Sequence, residues 1–120
     1  MAKPDKGGLE RVLDAAKYSV QGLRAQWRYE ASFRLDVRLF LLALPLALWL
    51  GDSGIEQALM IFSVGLVLIV ETLNSSVEAV VDRISDEHHE LSGRAKDLGS
   101  AAVMLTLMLA AVVWVILLLN

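Results

Sequence analysis

The sequence predicts an all-α membrane protein with three transmembrane helices and an N-terminal amphipathic helix on the membrane surface. Hydrophobic residues make up 56% of only 120 residues, the mean hydropathy is +0.54, and no charged residue occurs over 98–119. A soluble domain of this length cannot bury so many apolar side chains, whereas a helical bundle exposes them to lipid. We therefore expect residues 1–120 to form a single membrane domain.

The N-terminal helix is expected over 9–29. Its apolar residues recur at helical spacing: Leu9, Val12, Leu13, Ala16, Val20, Leu23 and Trp27. Its other faces carry basic residues: Arg11, Lys17, Arg24 and Arg28. Because Tyr18 and Trp27 suit headgroup depth, we expect this helix to lie on the anionic cytoplasmic leaflet. The alternative is a core helix of a soluble bundle.

Three spans are expected after this helix, over 31–51, 55–82 and 98–119. The uncharged run of the first span, 39–51, is too short to cross a bilayer. The span reaches the required length only from Ala31, with Arg34 and Arg38 extending back to the headgroups. Pro45 should bend this helix. A tight loop is expected at 51–54 and a charged cytosolic segment at 83–97.

The distribution of basic residues predicts the orientation of the spans. The 11 Lys and Arg residues fall before Leu39 or within 83–97, and none lies in the loop at 51–54. Because positive residues stay on the cytoplasmic side, the N-terminus is expected in the cytosol and the C-terminus outside. The N-terminal residues lead into no apolar segment of the kind found in secretory signals.

A polar stripe lies on the second span. Glu71, Asn74, Glu78 and Asp82 follow at steps of three and four, which places them on one helix face. A carboxylate within a span costs about 2.5 to 3.5 kcal/mol, so a compensating cation or reacting group is expected there. At 1.5 Å per residue from Ile55, the stripe begins roughly 24 Å into a core of about 30 Å, near its inner edge. The alternative is hydrogen bonding between helices that fixes their packing.

Acids and cations therefore converge on the cytoplasmic side, which favours phosphate chemistry. Carboxylates can hold Mg²⁺, and cations neutralise phosphoryl charge. Gly93 and Gly99 would permit a close backbone approach around Lys96 and Asp97.

Several other chemistries are disfavoured by the sequence. Cysteine is absent, which excludes disulfides and thiolate metal sites. The net charge of -3 gives no general basic surface, and we expect no nucleic-acid partner. His88 and His89 are adjacent rather than spaced as a metal pair on one helix face, which disfavours zinc. Walker A and soluble-kinase motifs are missing, so a phosphotransferase here would be built differently.

Two long blocks carry a family resemblance: ETLNSSVEAVVDR at 71–83 and HELSGRAKDLGSAA at 89–102. With shorter matches at 15–19, 22–25 and 30–34, the chain resembles the small prokaryotic diacylglycerol kinases over nearly its whole length. The resemblance implies a homotrimer of the inner membrane. Each protomer would contribute three spans and a surface helix, and the active sites would be shared between neighbouring chains.

The resemblance also implies roles for individual residues. Glu71 would be the general base, with Asn74 supporting the catalytic face, and Glu30 and Glu78 would hold Mg²⁺. Together with these two acids, the ATP-binding residues would be Arg11, Tyr18, Glu87, His88, His89, Lys96 and Asp97. Besides Glu71, the lipid-binding residues would be Arg11, Ala15, Ala16, Lys17, Tyr18, Ser19, Val20, Arg24, Ala25, Gln26, Trp27, Ser32, Phe33, Arg34, Leu35, Asp36, Trp49, Leu50, Gly51, Asp52, Gln57, Ser100 and Trp114.

The function expected from this resemblance is transfer of the γ-phosphoryl group of ATP to diacylglycerol, giving phosphatidic acid at the cytoplasmic face. One alternative is an undecaprenol kinase of the same family, which uses the same chemistry on a polyprenol. Another is a non-enzymatic ion-coupled membrane protein with Glu71 as its carrier site. That alternative predicts an acid near the bilayer midplane and assigns no use to Glu87, Lys96 and Asp97.

Overall fold

All secondary structure in the described part of the chain is α-helical. The computed structural model describes residues 7–84 and 87–120. Its elements are α1 (Gly8–Tyr29), α2 (Ala31–Leu50), α3 (Gly54–Ile84) and α4 (Glu90–Leu118). The all-α prediction is confirmed. The N-terminal tail at 1–6, and positions 85–86 of the predicted cytosolic segment, lie outside the described residues.

The chain divides into two compact units, Met1–Ala31 and Ser32–Asn120. Helix α1 is the element of the first unit, and it ends where the N–H of Glu30 donates to the Gln26 carbonyl at 3.0 Å. The large side chains of its predicted apolar stripe are exposed: Leu9, Val12, Leu13, Val20, Leu23 and Trp27. An exposed apolar face flanked by basic residues suits a helix that lies in a membrane interface.

The second unit is built on the packing of α3 against α4. Met60 of α3 is fully buried, and its backbone carbonyl accepts a hydrogen bond from the Trp114 indole of α4 at 3.2 Å. This bond ties the two helices together and satisfies the indole N–H within an apolar region. Side chains of α2, α3 and α4 also line an apolar cavity, among them Ala43, Val64 and Ala111.

Two helices, α3 and α4, are long and apolar enough to cross a membrane. Their exposed surfaces carry large apolar side chains such as Phe62, Ile69 and Leu105, as lipid-facing helices do. Helix α2 carries Arg34, Asp36 and Arg38 in its first half and does not meet the same test of apolarity. Helices α3 and α4 therefore have the length and the apolarity expected of membrane-spanning helices.

The turn between α2 and α3 lies where the sequence predicts a tight loop. Ser53 caps α3, because its Oγ accepts from the N–H of Glu56 at 3.2 Å, and the Glu56 carboxylate accepts from the N–H of Asp52 at 2.8 Å. The Gln57 amide donates to the carbonyls of Leu48 at 3.1 Å and Gly51 at 3.3 Å. The turn thus satisfies backbone groups at the end of α2 and the start of α3.

Helix α4 begins well before the apolar run at 98–119. His89 adopts an extended backbone conformation, and its Nδ1 accepts from the N–H of Leu91 at 3.0 Å, which caps the helix. The second half of the predicted cytosolic segment is therefore helical. Lys96 and Asp97 lie on the first turns of α4.

Candidate functional site

The centre of the candidate site is Glu71 on α3. Its side chain is only 7% exposed, and its Oε2 has no hydrogen-bond partner. The neighbouring hydroxyls donate to backbone carbonyls, Thr72 to that of Leu68 at 2.9 Å and Ser75 to that of Glu71 at 3.1 Å. Such bonds satisfy small polar side chains within their own helix. Glu71 therefore keeps an oxygen able to accept a proton or a donor group.

Asn74 and Glu78 follow Glu71 along the same stripe and contact each other. The Asn74 Nδ2 donates to the Glu78 Oε1 at 3.2 Å. The Asn74 Oδ1 is buried and has no partner, whereas the Glu78 side chain is exposed. The stripe thus runs from a buried carboxylate to an exposed one, with an amide between them.

A pocket of about 290 Å³ lies beyond Glu78, where α3 ends and α4 begins. It is lined by Val81, Asp82, Glu87, His88, His89, Ser92, Gly93 and Lys96. The Lys96 Nζ forms an ion pair with the Asp82 Oδ1 at 2.7 Å, across the two helices. The pocket lining therefore includes one ammonium group beside two carboxylates, two imidazoles and a hydroxyl, and the ammonium group is able to bind a phosphate-bearing ligand.

The structure brings together four of the predicted ATP-binding residues: Glu87, His88, His89 and Lys96. Asp97 is exposed and is not part of the pocket lining. His89 also caps α4 through Nδ1. Its second ring nitrogen, Nε2, is the one left for a ligand, because Nδ1 is used by the helix.

The remaining predicted residues fall in both units. Arg11, Tyr18 and Glu30 belong to the first unit, as do the predicted lipid-binding residues of α1. Those of the second unit lie at the start and the end of α2, in the turn after it, and on α3 and α4. Gln57 and Trp114 use their side-chain N–H groups in hydrogen bonds to backbone carbonyls. Trp49 is 78% exposed, as a lipid-contacting residue in a span would be.

Sequence reasoning left out some residues that the structure places at the site. Asp82 is part of the predicted stripe but received no role, although it pairs with Lys96. Ser92 and Gly93 line the pocket without having been predicted as binding residues. These residues could have been predicted if the helix of the third span had been extended back to Glu90, because Ser92 and Lys96 then lie one turn apart on one face.

Within residues 7–84 and 87–120, no group of three or more His, Asp or Glu side chains is arranged to hold a metal ion. Magnesium usually takes one or two protein carboxylates and fills its other positions with water and substrate phosphates. The exposed Glu78 carboxylate fits that mode of binding, because it offers oxygen ligands beside the pocket.

The sequence matches a known protein family, and several of its relatives, over most of the chain. The family described as prokaryotic diacylglycerol kinase matches residues 17–118. The Diacylglycerol kinase of Escherichia coli (strain K12) is 55% identical over 111 residues, covering 92% of this chain and 91% of the relative. The enzyme of that name from Haemophilus influenzae is 50% identical, covering 89% and 91%. That from Pseudomonas aeruginosa is 49% identical, covering 98% and 97%.

Proposed function

Since the chain belongs to the prokaryotic diacylglycerol kinase family, we propose that it transfers the γ-phosphoryl group of Mg-ATP to the hydroxyl of diacylglycerol. The product is phosphatidic acid, formed at the cytoplasmic face of the membrane. The observation that carries the proposal is the sequence of groups along α3, from the buried Glu71 to the Lys96–Asp82 pair at the pocket. A lipid hydroxyl and a water-soluble nucleotide have to meet at such a boundary.

Glu71 is the general base of this reaction. The diacylglycerol hydroxyl oxygen attacks the γ-phosphorus, its proton passes to the Glu71 carboxylate, and the bond from the γ-phosphorus to the β–γ bridging oxygen breaks to release ADP. The unpartnered Oε2 of Glu71 supports this role, because a base must have a free lone pair facing its substrate. Asn74 lies one turn from this base on the same face of α3 and supports that catalytic face.

The pocket at the start of α4 binds the nucleotide. Lys96 neutralises charge on the phosphoryl oxygens, and Asp82 keeps its ammonium group in position until the nucleotide arrives. Glu87, His88 and His89 line the same pocket. By the family resemblance, Asp97, Arg11 and Tyr18 are further ATP contacts. Glu78 and Glu30 would hold Mg²⁺, which would supply positive charge to offset that of the phosphates.

The chain crosses a bacterial inner membrane three times, through α2, α3 and α4, with α1 on the cytoplasmic surface. The length and apolarity of α3 and α4 support two of these spans, and the basic residues before Leu39 and in 83–97 support an N-terminus in the cytosol. The protein assembles as a homotrimer whose sites are shared between neighbouring chains. Diacylglycerol, ATP and the other protomers are its partners.

Offering two acceptor lipids tests the proposal. The full chain in detergent micelles receives γ-labelled ATP and Mg²⁺ with either diacylglycerol or undecaprenol. The proposal predicts labelled phosphatidic acid and at most slow labelling of undecaprenol. Faster labelling of the polyprenol would assign the chain to the alternative acceptor. Absence of both products and of ATP binding would instead favour an ion-coupled membrane protein.

A further inference from the structure

Gly99 lies where α4 passes the Asn74 side chain of α3. A Cβ atom added to Gly99 would lie 3.1 Å from the Asn74 Cγ, and closer still to its Oδ1. The Cγ belongs to a short side chain held between two helices, so it cannot withdraw as the end of a long side chain would. Any residue larger than glycine at this position must displace the Asn74 amide.

The orientation of that amide affects a second residue. Its Nδ2 donates to the Glu78 Oε1 at 3.2 Å, while its Oδ1 is buried without a partner. A displaced amide would lose or lengthen the bond to Glu78. The close approach of Gly99 therefore bears on how the Glu78 carboxylate is held, although Gly99 has no polar side chain and does not line the nucleotide pocket.

We propose that Gly99 is a positioning residue, which acts through Asn74 to orient Glu78. It leaves space for the Asn74 amide against α4, with the amide NH₂ directed at the carboxylate. The consequence for catalysis rests on the proposed function, in which Glu78 holds Mg²⁺. The steric coupling between Gly99 and Asn74 does not depend on that function and can be measured separately.

The test combines Gly99→Ala with Asn74→Ala, alone and together, in the full chain purified in detergent micelles. Two properties are measured: the midpoint of thermal unfolding, and the Mg²⁺ concentration that gives half-maximal diacylglycerol phosphorylation. Gly99→Ala should lower the midpoint by several degrees. It should raise the half-maximal Mg²⁺ concentration about tenfold, because Glu78 loses its orienting partner.

The double variant distinguishes positioning through Asn74 from a general loss of helix packing. Without the amide, the nearest remaining atom of residue 74 is its Cβ, 3.8 Å from the added methyl group, which is an ordinary contact. In the Asn74→Ala background, Gly99→Ala should therefore lower the midpoint by no more than about one degree. An equal loss in both backgrounds would overturn the proposal.

Gly65→Ala is the matched control, because it adds the same methyl group to a helix contact away from the site. That Cβ would lie 3.4 Å from the Phe40 ring, and the half-maximal Mg²⁺ concentration should stay unchanged. An unchanged Mg²⁺ requirement in Gly99→Ala itself would also overturn the proposal.

If Gly99→Ala does not fold, recovery of folded protein in the double variant supports the coupling, and no recovery contradicts it. If the wild-type chain phosphorylates no lipid, the proposed function fails, while the unfolding data still decide the coupling.

Discussion

A buried carboxylate with an unpartnered oxygen is costly, and Glu71 is one within α3. The stripe that it shares with Asn74 and Glu78 could be predicted from spacing alone, because steps of three and four fix a helix face. The pairing of Asp82 with Lys96 could not, since it depends on the register between α3 and α4. The same holds for the approach of Gly99 to Asn74. The sequence predicted only a close backbone approach around Lys96 and Asp97 at this glycine.

Replacing Glu78 with Gln should raise the Mg²⁺ requirement of the reaction. The amide keeps the size of the side chain but removes the charge that attracts a hard cation, so the half-maximal Mg²⁺ concentration should increase at least about tenfold. Mg²⁺ titrations of lipid phosphorylation measure this. Glu90→Gln is the control, because Glu90 is exposed and pairs with Arg94 outside the pocket lining. An unaltered Mg²⁺ dependence in Glu78→Gln would remove this residue from the metal site.

Replacing Lys96 with Met should lower turnover on the order of a hundredfold, because the phosphoryl oxygens lose a positioned cation. Initial rates at varied ATP concentration measure the effect on kcat and KM. Arg94→Gln removes a nearby exposed cation that pairs with Glu90, and its rates should stay close to those of the wild type. Equal losses in the two variants would indicate a general electrostatic effect rather than a specific phosphate contact.

The positions at which the helices begin and end determine the geometry of the pocket. The sequence predicted α1, the 51–54 turn and the apolar parts of α3 and α4 from hydrophobic periodicity and charge. It did not predict that α4 begins at Glu90, because the hydropathy pattern changes only near Leu98 whereas the cap is a local bond to His89. That early start brings Ser92 and Lys96 to the end of α3 and forms the pocket.

Removing the cap of α3 should destabilise the protein without changing its chemistry. Ser53→Ala leaves the N–H of Glu56 without its side-chain acceptor and should lower the free energy of unfolding by about 1 kcal/mol. Unfolding in detergent micelles, followed by circular dichroism, measures the change. Ser76→Ala is the control, because the Ser76 hydroxyl donates to the Leu73 carbonyl in the middle of the same helix. Equal stability of the two variants would contradict the capping role of Ser53.

Two units make up the whole molecule, and the residues predicted for one active site are divided between them. Arg11 and Glu30 belong to the first unit, and Glu71 and Lys96 to the second. Hydropathy predicted the membrane class, and the two long motif blocks predicted the family, which the comparisons confirm. Assembly could not be predicted from periodicity, because contacts between copies leave no spacing pattern in one chain. It entered through the resemblance and remains a proposal.

Shared sites predict recovery of activity when two inactive variants are mixed. Arg11→Glu places its defect in the first unit, and Glu71→Gln places its defect in the second. If each site combines the first unit of one chain with the second unit of a neighbour, about one quarter of the sites in randomly mixed trimers should carry neither defect. Activity measured after subunit exchange tests this. Mixing Glu71→Gln with Glu78→Gln is the control, because both changes lie on α3 and no site should recover. Failure of the first mixture to regain activity would contradict sharing between chains.

The proposed mechanism depends on Glu71 as general base, and turnover of the Glu71→Gln variant tests that role. The amide preserves the shape of the side chain but cannot accept the hydroxyl proton at neutral pH. Phosphorylation of diacylglycerol in micelles should fall at least about a hundredfold, while circular dichroism and thermal unfolding show a folded protein. If a folded Glu71→Gln variant keeps most of the wild-type turnover, Glu71 is not the general base.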